Sequence, residues 1–281
     1  MAKAYARPEL LASPDWVAAN LERPDVRLLD VRWRPDGTGR TVWQAGHIPG
    51  AAYLDWSTDL VQAEDDAPSF HLGGPDQVAA ALGSLGVGDG TTVVLYDDSA
   101  SLFAARAWWS MRVYGYGSAR ILDGGIDAWT SEGRSLSNGS PATVPSVFTP
   151  HAQLRDRLSW SDVRGLLGSP EVLLLDARAP ADYRGHQGNA RRLGHIPGAV
   201  NVPVAVTTKP GTGRFRDGDE LRPILSRAGV QRGRRLVCYD GSGIAAAKLT
   251  FVLALLGYDD VAMYDGGWAE WGDRLDLPVE R

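Results

Sequence analysis

The chain has 281 residues, of which 29 are basic and 34 acidic, giving a formal net charge of −5 with 44% hydrophobic and 22% charged residues. This is an ordinary globular composition, and it argues against a disordered chain, a collagen-like chain and a basic nucleic-acid-binding tail. At about 150 residues per domain, the length predicts two domains, each with its own core.

The single cysteine, Cys238, cannot form an intramolecular disulfide, so we predict a reducing, cytoplasmic location. Lys3, Arg7 and Glu9 lie in the first eleven residues, where no apolar segment of a signal peptide is found. No apolar run approaches the roughly 20 residues that span a bilayer. We therefore expect neither export nor membrane insertion, and no nucleic-acid partner.

The sequence repeats itself. Gly-His-Ile-Pro-Gly-Ala occurs at residues 46–51 and again at 194–199. Leu-Leu-Asp-x-Arg at 28–32 and 174–178, Tyr-Asp at 96–97 and 239–240, and Asp-Gly-Gly at 123–125 and 265–267 keep the two halves in step. The offset drifts between 148 and 142 residues, as loop insertions within a duplicated domain would produce.

In chain order, each half alternates helix starts with short apolar runs. Ser13 and Ser159 are predicted helix N-caps. Apolar residues 93–96, 172–175 and 236–239 are typical of buried parallel strands. Residues 245–256 are apolar nearly all round and precede Gly257, which predicts a buried helix with a glycine C-cap.

Strand-helix alternation predicts an α/β fold of two tandem domains, each a mainly parallel sheet with helices on both faces. Residues 135–150 are rich in Ser, Pro, Gly and Thr and show no periodicity. We place an N-terminal domain at residues 1–137, a linker at 138–157 and a C-terminal domain at 158–281.

The candidate site follows the strand at residues 236–239, because ligands of open α/β sheets bind beyond the carboxyl ends of the strands. Its loop reads Asp-Gly-Ser-Gly-Ile-Ala at residues 240–245 and runs into the apolar helix. Two glycines and a helix N-terminus can direct backbone N–H groups at an anion or a thiolate. The same glycines also occur where a tight turn alone is needed. The candidate anion-binding residues are Gly241, Ser242, Gly243, Ile244 and Ala245.

Taken together, the duplicated motifs, this loop and the closing Tyr-Asp-Gly-Gly-Trp-Ala-Glu-Trp at residues 264–271 resemble the tandem rhodanese family, the thiosulfate and 3-mercaptopyruvate sulfurtransferases. The resemblance covers nearly the whole chain. It implies two rhodanese-like domains, of which the second is catalytic and the first is not. In the family, a cysteine opens the second loop, takes a sulfane sulfur as a persulfide and passes it to cyanide or a thiol.

This chain departs from the family at that cysteine. The mercaptopyruvate-type loop reads Cys-Gly-Ser-Gly-Val, and its alignment puts Asp240 where the cysteine belongs. Cys238 lies two residues earlier. A loop that starts at Cys238 would fit a Cys-x-x-Gly pattern with Gly241, but it misplaces Gly243 and Ile244, so we favour Asp240.

A carboxylate cannot carry a persulfide and would repel an anionic donor, so we expect sulfurtransferase activity to be impaired or lost. Asp240 also has a structural interpretation as a cap of the following helix. Asp97 holds the matching place in the first half. Cys238, in an apolar strand, is expected to be buried and inert rather than reactive.

Two arginines are candidate guides for an anionic donor, Arg178 and Arg184, although Arg178 is equally placed to pair with Asp176. Asp182 stands where many relatives carry a substrate-contacting arginine. The duplicated His47 and His195 favour a shared structural task over a catalytic one.

The sequence shows no metal-ligand spacing of His or Cys, and we expect no cofactor. The partners that the resemblance implies are a small sulfur-containing anion and a thiol acceptor. Three functions remain open. The chain is a sulfurtransferase with a disabled site, or a silent module that binds a small anion or a protein partner, or, with less support, an enzyme of different chemistry that uses Asp240.

Overall fold

The computed structural model describes residues 4–63 and 70–281. Within them the chain forms two five-stranded β-sheets, each flanked by helices. The strands are β1 Leu11–Ala12, β2 Val26–Asp30, β3 Ala52–Tyr53, β4 Thr92–Tyr96, β5 Ala119–Leu122, β6 Arg157–Leu158, β7 Val172–Asp176, β8 Val200–Asn201, β9 Arg235–Tyr239 and β10 Val261–Tyr264. The α-helices are α1 Pro14–Asn20, α2 Gly39–Ala45, α3 Trp56–Asp59, α4 Pro75–Ser84, α5 Leu102–Val113, α6 Gly125–Ser131, α7 Trp160–Leu166, α8 Pro180–Tyr183, α9 Gly218–Arg227, α10 Ile244–Leu255 and α11 Gly267–Asp273.

The two sheets have the same topology. Their strand orders are β1-β5-β4-β2-β3 and β6-β10-β9-β7-β8, and neighbouring strands pair in parallel. Parallel pairing needs a crossover between strands, and helices supply it on both faces. The predicted α/β fold of two tandem domains is confirmed.

Predicted helix ends match the structure closely. The Ser13 hydroxyl accepts from the backbone N–H of Trp16, and Ser159 forms a capping box with Asp162. The predicted helix 245–256 spans Ile244–Leu255, and Gly257 follows it at φ +81°. Local capping chemistry therefore sets these boundaries.

The helices α5 and α10 lie between the two sheets and share one apolar core with the inner faces of both. In this core Trp108 of α5 meets Phe251 of α10 edge-on, with ring centroids 5.0 Å apart. α10 packs on its own sheet and on α5 at once, which explains why it is apolar nearly all round. The outer faces of the two sheets form two separate cores with α1 and α6, and with α7 and α11.

The segment predicted as a linker, residues 138–157, has no helix or strand until a 3-10 turn at Leu154–Asp156 and the first residue of β6. It is fixed to the first half by backbone and side-chain contacts. Ser146 N–H donates to Gly83 O at 2.9 Å, and Phe148 packs edge-on against Tyr116. The precise domain boundaries stay a prediction.

Across residues 4–63 and 70–281, none of the helices has the length and apolarity to cross a membrane.

Gly125, at the start of α6, should not tolerate a side chain. Its φ is +59°, and a Cβ there would lie 2.1 Å from the backbone oxygen of Asp97. We expect Gly125→Ala to lower the free energy of unfolding by more than about 2 kcal/mol, through left-handed strain and overlap. Gly165→Ala is the matched control: nothing lies within 4 Å of its Cβ, and we expect a gain of about 0.5–1 kcal/mol. Urea unfolding of both variants tests this, and equal stabilities would contradict it.

Candidate functional site

The loop between β9 and α10 closes around the Asp240 carboxylate. Oδ1 accepts from the backbone N–H of Gly243 at 2.6 Å, and Oδ2 accepts from that of Ala245 at 3.0 Å. Asp240 is only 5% exposed. Burial raises the pKa of its carboxyl, and the amides of Ala245 and Gly243 oppose that rise because they favour the charged form. The loop amides thus hold an anion that belongs to the chain itself.

The first half builds the same arrangement around Asp97. One carboxylate oxygen accepts from the amides of Ser99 and Ser101 at 2.8 and 2.9 Å. The other accepts from those of Phe103 and Ala104 at 2.8 and 2.9 Å. Ser101, at φ +65°, and Gly243, at φ +84°, occupy the same left-handed position before α5 and α10. The duplicated aspartates therefore play the same structural part in both halves.

The backbone carbonyls of these aspartates also fix the last helix of each half. Asp97 O accepts from Ile126 N–H at 3.0 Å, and Asp240 O accepts from Trp268 N–H at 2.6 Å. Such close approach of two backbone segments requires glycine just before the residue that donates, Gly125 in the first half and Gly267 in the second. A Cβ on Gly267 would lie 2.7 Å from Asp240 O. The second glycine of each Asp-Gly-Gly repeat, Gly125 or Gly267, is the residue that allows this contact.

A cavity of about 710 Å³ lies beside the loop. It is lined by loop residues, by residues that follow β7, by α11 and, among the described residues of the first half, by Phe70. The described lining is Phe70, Arg178, Asp182, Gln187, Gly188, Asn189, Ala190, Gly241, Ser242, Trp268, Ala269 and Asp273. Of the predicted anion-binding residues, Gly241 and Ser242 line the cavity. Gly243 and Ala245 bind Asp240 instead.

Arg178 lines the cavity, but its charge is already paired. Its Nε and Nη2 lie 3.0 and 2.5 Å from the oxygens of Asp176, and Nη2 also donates to Gly194 O at 2.8 Å. The guanidinium lies 4.7 Å from the Trp268 ring centre. Arg184, the second predicted guide, is exposed and does not line the cavity. The pairing alternative for Arg178 is the one that the structure displays.

Two further carboxylates face this cavity. Asp182 accepts from the Gln187 side chain at 3.2 Å, and Asp273 accepts from the Arg191 backbone N–H at 2.7 Å. With Arg178 bound to Asp176, the wall offers an entering anion little positive charge.

The first half completes the cavity of the second. Residues 61 and 72 form an isolated antiparallel bridge, and residues 70–72, the strap, bring Phe70 to the cavity. Leu72 N–H donates to Asp265 Oδ2 at 2.7 Å, and in the mirror arrangement Phe215 N–H donates to Asp123 Oδ1 at 2.8 Å. Sequence analysis found the repeated aspartates Asp123 and Asp265 but not these partners, because they lie in the other half of the chain.

Cys238 lies on β9 with its side chain in the core shared by both halves, fully buried. Burial raises the pKa of its thiol to about 12. A neutral, enclosed thiol is a poor nucleophile.

The two histidines hold matching structural positions. Nδ1 of His47 lies 2.9 Å from Trp43 O, and Nδ1 of His195 lies 2.9 Å from Tyr183 O. Each forms a β-bridge to the end of its own half, with Ser137 and with Glu280. In the part of the chain that the structure describes, no group of three or more His, Cys, Asp or Glu side chains is placed to hold a metal ion.

The Rhodanese-like domain family matches residues 13–132 and again residues 159–274. The sulfur carrier protein TtuD of Thermus thermophilus is 34% identical over 290 residues, which cover 99% of this chain and 98% of that protein. The 3-mercaptopyruvate sulfurtransferase of Escherichia coli is 34% identical over 278 residues, covering 95% and 96%. The crystal structure of SseA from Escherichia coli, a 3-mercaptopyruvate sulfotransferase with the rhodanese fold, has a TM-score of 0.84 at 29% identity and covers 92% of this chain and 98% of its own.

We expect Cys238 to resist alkylation in the folded protein. With a thiol pKa of about 12, almost none of it is thiolate between pH 7 and pH 9, and burial excludes the reagent. Iodoacetamide labelling at pH 8, followed by mass spectrometry, should leave the folded chain unmodified and label the guanidinium-unfolded chain completely. Rapid labelling of the folded chain would contradict this.

Proposed function

This chain belongs to the tandem rhodanese sulfurtransferase family, and we propose that it has lost persulfide transfer because Asp240 stands where the family has its cysteine nucleophile. The observation that carries the proposal is the position of the Asp240 carboxylate among the amides of the loop. In the family a thiolate at this place attacks the sulfane sulfur of a donor and holds it as a persulfide. A carboxylate oxygen forms no stable equivalent.

The electrostatics of the loop support the same conclusion. The partial positive charge of the α10 N-terminus and of the loop amides is directed at Asp240. A thiosulfate or mercaptopyruvate anion that approaches Gly241 and Ser242 therefore meets a loop whose charge is already balanced. It also meets Asp182 and Asp273 on the cavity wall.

Cys238 does not replace the missing nucleophile in this proposal. It lies two residues before the loop, on the face of β9 that packs against the core common to both halves. Its side chain is fully buried, whereas Gly241 and Ser242 line the cavity. For a sulfur donor in the cavity to reach the Cys238 thiol, β9 would have to rotate and bring that side chain out of the core.

A second candidate function is a silent binding module, and the cavity of about 710 Å³ favours it. The volume suits a small molecule, and the lining combines two aromatic rings with amide and carboxylate groups. Relatives named 3-mercaptopyruvate sulfurtransferase and thiosulfate sulfurtransferase favour small sulfur compounds as the class of ligand. Chemistry by Asp240 itself is less favoured, because both of its oxygens accept hydrogen bonds and it is 5% exposed. The cytoplasmic location stays a prediction.

Replacement of Asp240 by cysteine should create sulfurtransferase activity. We expect no thiocyanate from thiosulfate and cyanide, and no sulfide from 3-mercaptopyruvate and a thiol, with the native chain. Asp240→Cys should exceed the native background by at least about 100-fold, since the loss of a nucleophile typically costs more than that. Asp240→Asn is the control for charge alone and should stay inactive.

Addition of Cys238→Ser to the Asp240→Cys variant should leave its turnover unchanged. Native turnover that Cys238→Ser abolishes would overturn the assignment of the nucleophile position.

Removal of the Asp240 charge should improve the binding of anions to the cavity. We expect Asp240→Asn to bind thiosulfate at least about 5-fold more tightly than the native chain, because one nearby unit charge contributes about 1 kcal/mol or more at short range. Isothermal titration at low ionic strength measures this difference. Equal affinities for the two chains would contradict the proposed repulsion.

A further inference from the structure

We propose that Arg106, a residue of the first half, is a positioning residue for the second-half site: its guanidinium holds the 240–245 loop and the Phe70 wall in one arrangement. The inference rests on the proposed function only in treating this loop as an anion-binding loop. The contacts themselves stand independently of that assignment.

Arg106 lies on α5 and is 1% exposed. Its Nη1 donates to Gly243 O at 3.2 Å and to Asp265 Oδ1 at 2.8 Å. Its Nη2 donates to Phe70 O. One planar side chain therefore reaches the loop, the end of β10 and the strap that lines the cavity.

Asp265 extends the arrangement. While Oδ1 accepts from Arg106, Oδ2 accepts from the Leu72 backbone N–H at 2.7 Å and pairs with Arg157 Nε at 3.0 Å. The strap of residues 70–72 is consequently held twice, once by Arg106 at Phe70 and once by Asp265 at Leu72. Any displacement of this ion pair moves the loop and the cavity wall together.

The loop depends on this contact because Gly243 is held from both sides. Its N–H donates to Asp240 and its carbonyl accepts from Arg106. A peptide unit is planar and trans, so fixing the Gly243 carbonyl also fixes the direction of the next N–H, that of Ile244. Gly243 has φ +84°. Glycine adopts positive and negative φ about equally readily, and the Arg106 contact favours this one backbone conformation.

At the position of α10 that matches Arg106 of α5, the chain has a different basic residue, Lys248. Arg106 is the fourth residue after the first residue of α5, and Lys248 is the fourth after the first of α10. Lys248 is 2% exposed, and burial lowers the pKa of its ammonium to about 8, while the nearby Asp97 opposes that fall. An ammonium group lacks the planar fork with which arginine joins several acceptors. Arg106→Lys is therefore the informative substitution, since it keeps the charge and removes the fork.

Arg112 provides a control on the same helix. Its Nε donates to Asp156 Oδ2 at 3.1 Å, an ion pair between α5 and the predicted linker, and neither residue belongs to the loop or the cavity. Arg112→Lys perturbs a partly buried ion pair of the same helix without touching Gly243.

The first measurement is amide hydrogen exchange on the native chain and on both variants. We expect Arg106→Lys to speed exchange at Gly243, Ala245 and Leu72 by at least about tenfold, while Arg112→Lys leaves these amides unchanged. Unchanged exchange in Arg106→Lys overturns the inference. Asp265→Asn, which keeps an acceptor for Leu72 and weakens the hold on Arg106, should shift the same amides if Arg106→Lys does not fold.

The second measurement uses the Asp240→Cys chain and reads the pKa of the introduced thiol from the pH dependence of its alkylation, resolved by peptide mass spectrometry. Intact loop amides should hold that pKa below the ordinary value of about 8.5, and adding Arg106→Lys should raise it by about one unit. Adding Arg112→Lys should not. An ordinary thiol pKa in Asp240→Cys itself counts against the proposed function. A lowered pKa that Arg106→Lys leaves in place counts against the role of Arg106.

Discussion

In each half of the chain, the turn from strand to helix closes around a buried carboxylate. The two helices between the sheets, α5 and α10, take their position from that contact. A carboxylate removed from water must find hydrogen-bond donors, and the first amides of a helix are donors without intrahelical partners. Asp97 and Asp240 meet this need for α5 and α10. Their backbone carbonyls accept from α6 and α11, so strand, central helix and last helix meet at one residue in each half.

This constraint links the fold to the proposed loss of persulfide transfer. In a rhodanese loop the amides are available to stabilise a thiolate and the sulfur that it carries. In this chain the Asp240 carboxylate accepts from the loop amides, and we propose that the loop thereby keeps its shape without a reactive group. The second half thereby comes to resemble the first, where Asp97 is held in the same way. The cavity beside Gly241 and Ser242 persists, because Arg178, Trp268 and the strap from the first half form it.

The helix ends and the duplicated topology could be predicted from the sequence. Short-range signals predicted the helix starts at Ser13 and Ser159 and the end before Gly257, since capping chemistry acts over a few residues. The repeat predicted two domains of one topology. Arg106 and Phe70 were not predicted as parts of the site. Their partners are more than 30 residues away in sequence and, for Gly243 and Asp265, in the other half of the chain. No local pattern reports such contacts. The apolar character of α10 was a partial sign of the shared core, because a helix on the outside of a domain would need a polar face.

The proposed loss of persulfide transfer requires that the native loop holds a carboxylate and takes up no sulfur. Intact-mass analysis of the native protein after incubation with 3-mercaptopyruvate or thiosulfate, in parallel with the Asp240→Cys variant, tests it most directly. We expect an unchanged mass for the native chain and the gain of one sulfur atom, mapped to residue 240, for the variant. A sulfur atom on Cys238 of the native chain would contradict it.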